Sequence, residues 1–190
     1  MTVVKTVVKT AAKKQLPPPE KSNLKLGYLR LTDAAPLVIA QADGLFARYG
    51  LDVELIREVS WANLRDKLVV GHLDAAQLLA PLLMMTSFGA GGLRANLLTG
   101  LSLSLNGNAI TLSRSLWETL ADGNLRDPAA TARALRNHVA GLPVGNVLTL
   151  ATMHMFSMHT LMMRLWLKAG GIDPDRDVRI IVLPPEQMGD

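Results

Sequence analysis

Apolar positions along this chain switch repeatedly between a spacing of two and a spacing near 3.6, which predicts strands alternating with helices. Leu24–Leu31 reads as a strand, with Thr32-Asp33 behind it as a helix-start signal. Pro36 falls in a first turn, where proline is tolerated. The helix predicted over Ala34–Tyr49 stops at Gly50. Leu51–Arg57 alternates as a second strand, and Ser60 caps a helix over Trp61–Val70 that Gly71 closes. His72–Leu78 gives a third strand, Ala80–Phe88 a helix entered at Pro81, and Ala95–Leu103 and Asn108–Ser113 two further strands. A second series follows: helices over Leu116–Ala121 and Pro128–His138, a strand over Val147–Met153, a helix over Ser157–Ala169 ended by Gly170-Gly171, and a strand over Val178–Leu183. This order predicts α/β architecture with parallel sheets. The second series has only two strands, too narrow a sheet to cover its own apolar edge and face. Truncation at Asp190 is therefore expected.

Composition fits a chain with a real core: 49% of the 190 residues are hydrophobic and 19% charged. The net charge of +4 is unevenly placed. Residues 1–25 hold six lysines against Glu20, while the remainder holds 14 basic and 15 acidic residues. The folded body is thus near neutral, and a basic face for nucleic acid is not expected. Residues 1–23, with a lysine repeat and Pro17-Pro18-Pro19, read as a disordered basic tail. No apolar run there matches the roughly 7–15 residues of a secretory signal. Residues 24–107 then read as a first lobe, and residues 108–190 as a crossover and part of a second lobe.

The absence of cysteine excludes disulfides, thiolate zinc sites and a cysteine nucleophile. There is no Gly-Lys-Ser/Thr loop, G-x-S-x-G elbow or H-E-x-x-H pair. Met153, His154, Met155, Met158, His159, Met162 and Met163 form the one unusual cluster. Soft ligands of this kind suit Cu(I), but methionines at helical spacing beside Leu161, Leu165 and Trp166 usually fill a core. Anion-binding equipment is more evident. Helix N-termini follow strands after Thr32-Asp33 and after Ser60, and their free N–H groups favour an anion. Ligands of open α/β sheets lie off the carboxyl ends of strands. Trp61 stands there with an indole donor, and Gln77 ends the third strand; as isolated residues each also suits simple packing.

Five stretches in order carry a resemblance: Leu26 to Ala40, Ser60 to Lys67, Leu73 to Pro81, Leu105 to Thr111, and Gly171 to Val178 running on to Met188. Together they resemble the nitrate/nitrite/bicarbonate solute-binding family over roughly residues 22–188, its front portion only. The resemblance implies a type II periplasmic-binding-protein-like α/β fold, with one lobe complete and the second partial. It also implies that Trp61, Gln77 and His159 line an anion pocket, with Asn106 and Gly107 where the chain crosses between lobes. A planar anion of low basicity suits several N–H donors and an imidazole. The family tends to carry proline where this chain has Arg30, Leu83 and Met155, and asparagine where it has Thr160. A further lysine ligand would fall beyond Asp190.

The expected role is nitrate or nitrite binding without enzyme chemistry, cofactor or metal. The protein would serve an ABC permease as its substrate-binding component, or act as a cytoplasmic nitrate sensor with an antiterminator partner. A bicarbonate transporter component is the alternative. An enzyme resembling the thiamine-pyrimidine synthases of the same superfamily conflicts with the lack of cysteine.

Overall fold

The computed structural model describes residues 17–105, 107–120 and 127–188. The expected disordered tail lies outside these residues up to position 16. From there the chain already meets the body: Asp52 N–H donates to the Ser22 carbonyl at 2.8 Å, and Lys21 Nζ reaches Asp74 at 2.6 Å. Asn23, assigned to the tail, is the first residue of a strand.

That strand, β1 (Asn23–Tyr28), lies between β2 (Asp52–Arg57) and β3 (Ala75–Ala76) in a parallel sheet of order β2-β1-β3. Residues paired across parallel strands share a face, so the register Gly27↔Ile56 and Gly27↔Ala76 puts these three on one side. Helix α3 (Trp61–Val69) packs on that side. A Cβ at Gly27 would sit 2.5 Å from Leu73 and 2.6 Å from Leu64, so glycine is what lets α3 approach β1. The Ser60 cap forms as expected, its Oγ accepting from Asn63 N–H at 3.1 Å. The helix expected over 34–49 is instead two, α1 (Ala35–Ala42) and α2 (Leu45–Arg48), because Gly44 turns left-handed at φ +64° between them. Thr32-Asp33 starts no capped helix; a single 3-10 turn without a side-chain cap bond occupies Thr32–Ala34.

After α4 (Ala80–Ser87), the strands expected at 95–103 and 108–113 do not form. Their alternating leucines satisfy a strand pattern, but among the described residues no strand lies alongside to take their backbone groups. Leu98 and Leu105 are accordingly exposed. The third strand also shrinks from seven residues expected to two.

The second series follows the expected order: α5 (Arg114–Thr119), α6 (Pro128–Ala140), β4 (Thr149–Thr152), α7 (Met158–Ala169) and β5 (Arg179–Val182). Strands β4 and β5 pair in parallel. Leu120, Leu135, Leu150, Met163, Leu167, Ile172 and Val178 make one core around this pair. Leu29, Trp61, Leu64, Leu73 and Leu82 make the other, under the first sheet. Met153 and Phe156, from the junction between β4 and α7, pack against that first core and join the two halves.

Candidate functional site

The site is built where β1 ends. Trp61 is the first helical residue after the Ser60 cap, and it is 2% exposed among Leu29 and Leu64. Gln77 follows β3, and its backbone N–H donates to the Gly27 carbonyl at 2.9 Å, which carries it to the same strand end. Its Oε1 accepts from Leu29 N–H at 2.9 Å. That bond orients the amide, since a flipped group would set two donors against each other. Gln77 Nε2 therefore faces away from Leu29 as a donor.

His159 arrives from the other half as the second residue of α7. Burial holds its pKa below the ordinary histidine value, and the negative charge of Asp33 partly opposes this. Asp33 lies in the turn after β1, so His159 is within electrostatic reach of the segment that Gln77 and Trp61 adjoin.

Among the described residues, three buried side-chain nitrogen or oxygen atoms lack a hydrogen-bond partner: Trp61 Nε1, Gln77 Nε2 and His159 Nδ1. An unpaired buried donor costs about 1–3 kcal/mol, so such atoms in a native protein call for an explanation. These are the three residues expected to line the anion pocket. The indole and the amide nitrogen can only donate, and the imidazole nitrogen donates when it carries the proton. Each of them can therefore take an acceptor as its partner.

The remaining expected residues are not placed in this group. Gly107 is exposed at φ +92°, with nothing within 4 Å of a Cβ built on it. Asn106 lies outside the described residues. The methionines disperse: Met153 joins one core and Met163 the other, while Met155, Met158 and Met162 are exposed. Among the described residues no group of three or more His, Cys, Asp or Glu side chains is placed to hold a metal.

A wide groove of about 710 Å³ lies elsewhere, lined by Lys25, Glu54, Lys67 and Asp74 among others and by none of the three. Four of its charges are closed into ion pairs inside the protein, Lys21–Asp74 and Lys67–Glu58. The orphaned donors are the better guide to a ligand, because ion pairs already satisfied inside the protein ask for no partner.

Sequence reasoning missed the buried hydroxyls behind His159. Thr152, Ser157 and Thr160 are each at most 3% exposed and hydrogen-bond together. The Ser-x-x-Thr spacing at the helix start was the available signal.

Two parallel α/β units, the second with only two strands among the described residues, have the type II periplasmic-binding-protein fold. The chain belongs to the NMT1-like family, whose model matches residues 17–190. It is 43% identical over 173 residues to the bicarbonate transport ATP-binding protein CmpC of Synechocystis sp., covering 89% of this chain and 24% of that protein. It is 36% identical over 180 residues to the nitrate/nitrite binding protein NrtA of Nostoc sp., covering 90% of this chain and 38% of the relative. The crystal structure of the periplasmic nitrate-binding protein NrtA from Synechocystis superposes with a TM-score of 0.78 at 32% identity, over 90% of this chain and 44% of that one. The ligand-binding component of an ABC-type import system from Staphylococcus aureus shares the fold, with a TM-score of 0.54 at 19% identity over 88% of this chain and 50% of its own. The chain thus spans well under two thirds of these relatives.

Proposed function

We propose that this chain forms part of a nitrate- or nitrite-binding component of an ABC importer. The observation that carries the reading is the coincidence of the three unpartnered buried nitrogens with Trp61, Gln77 and His159. Two of them can only donate, and the acceptor oxygen of Gln77 is turned toward Leu29 N–H. Such a set suits an anion that only accepts. Bicarbonate carries a proton of its own and needs an acceptor, which among the three only a His159 Nδ1 without its proton can offer. That chemistry favours nitrate or nitrite, while the likeness to CmpC keeps bicarbonate as the second reading. The same stretch resembles both kinds of relative and lacks a nucleotide-binding Gly-Lys-Ser/Thr loop, which favours solute binding over ATP binding. A permease partner is favoured over an antiterminator because the relatives are transport components.

Calorimetric titration of nitrate, nitrite and bicarbonate into the protein and two variants tests this. His159→Ala is expected to weaken nitrate binding by about 1.5–3 kcal/mol, as for a lost charged hydrogen bond. Trp61→Phe keeps the ring, loses the donor, and should weaken it by roughly 1 kcal/mol. Lowered melting temperatures with unchanged affinities would show both residues to be packing alone.

A further inference from the structure

The junction between β4 and α7 holds three buried hydroxyls, those of Thr152, Ser157 and Thr160. Thr160 Oγ1 lies 2.7 Å from the His154 carbonyl, which can only accept, so the threonine donates there. Thr160 Oγ1 is then left as acceptor for Thr152 Oγ1 at 2.7 Å and Ser157 Oγ at 3.0 Å. Ser157 Oγ in turn accepts from the Thr160 backbone N–H at 3.1 Å, capping α7. All three hydroxyls are satisfied inside the protein, so the group has no call for a ligand. Its effect is mechanical: it locks the end of β4, the His154 carbonyl and the first turn of α7 to one another.

His159 sits in that turn, directly before Thr160. The same loop is also tied to the first core. His154 Nδ1 accepts from Phe156 N–H at 3.0 Å, and Phe156 packs on the core that contains Leu29 and Trp61. A network closed in this way specifies one arrangement, and removing a member leaves the others unpaired.

We propose that Thr160, through its hydroxyl bonds to Thr152, Ser157 and the His154 carbonyl, is a positioning residue that aims the His159 imidazole toward the Trp61 and Gln77 donors. This rests on the anion-binding reading of those donors.

The test compares Thr160→Val, which keeps the shape and loses the hydroxyl, with Thr160→Ser, which keeps the hydroxyl. Thr131→Val is the matched control, since Thr131 Oγ1 bonds to the Pro128 carbonyl at 2.9 Å in α6, away from the site. Two quantities are read: the His159 titration by NMR without anion, and the nitrate dissociation constant by calorimetry. In Thr160→Val the imidazole is released toward water, so its pKa should rise toward the ordinary value of about 6.5. The dissociation constant should rise about tenfold, the scale of one lost hydrogen bond. Thr160→Ser should stay near the original protein in both, and Thr131→Val should lower only the melting temperature. If Thr160→Val changes only its melting temperature, as the control does, the proposal is wrong. Should Thr160→Val not fold, Thr152→Val keeps the bond to the His154 carbonyl and should shift both quantities the same way by less; an unmoved His159 titration there also overturns the proposal. If the unsubstituted protein binds no nitrate, the anion-binding reading falls, and the His159 titration alone decides whether Thr160 positions the ring.

Discussion

His159 combines a buried Nδ1 without a partner and a pKa that burial lowers against the pull of Asp33. A bound anion favours the imidazolium, so the pKa in the complex should exceed that of the free protein. Nitrate affinity should then be full below the free-protein pKa, which lies under the ordinary value. It should decline as pH rises from there to the bound-state pKa, and level off above it. Bicarbonate should not share this decline, because its proton needs the unprotonated Nδ1. Titrating both anions from pH 5 to 9 checks the contrast, and His159→Ala should flatten the nitrate profile. Nitrate affinity independent of pH in the original protein would remove His159 from the site. How far these residues could be read from sequence differs among them. The place of Trp61 after a serine cap is local, and Ser60 announces it. That its indole finds no partner is a property of tertiary packing, and no local pattern encodes it. Gly107 was expected on resemblance alone, and the structure leaves it exposed with open space around it.

The helix pair α6–α7 shows how closely the second half is packed. A Cβ at Gly170 would fall 2.6 Å from the Ala132 carbonyl oxygen and 2.7 Å from its carbon, backbone atoms that cannot swing aside. Gly170→Ala should therefore force the helices apart and destabilise the protein by about 1–3 kcal/mol, the usual range for overpacking. Gly44→Ala, which meets nothing within 4 Å, carries only the cost of its left-handed φ of +64°, about 1–2 kcal/mol. Thermal melting compares the two, and a neutral Gly170→Ala would contradict the packing described. Helices were largely legible because caps and period are local: α3, α4, α6 and α7 lie within two residues of their expected ends. Strands were less so. Leu101, Leu103 and Leu105 alternate as well as Leu24, Leu26 and Tyr28, but only the latter set has neighbours to bond. Strand pairing is a long-range fact that alternation does not reveal.

The two halves keep separate cores and are joined at the β4–α7 junction, where Phe156 and Met153 reach the first core. Arg57 and Glu186 add an ion pair between them. This arrangement sets His159 within electrostatic reach of Asp33, in the turn after β1, an approach that a strand–helix pattern alone could not have revealed. The claim at the centre is that Trp61, Gln77 and His159 contact one anion together. Nitrogen-detected NMR of the protein during a nitrate titration tests it directly, because the chain has only three tryptophans. Trp166 Nε1 already donates to the Pro128 carbonyl at 2.8 Å and serves as an internal control, as does the exposed Trp117. The Trp61 indole, the Gln77 side-chain amide and the His159 ring should shift along one binding curve, with Trp117 and Trp166 unmoved. Nitrate that binds while those three signals stay still, or that moves the other indoles instead, would contradict the claim.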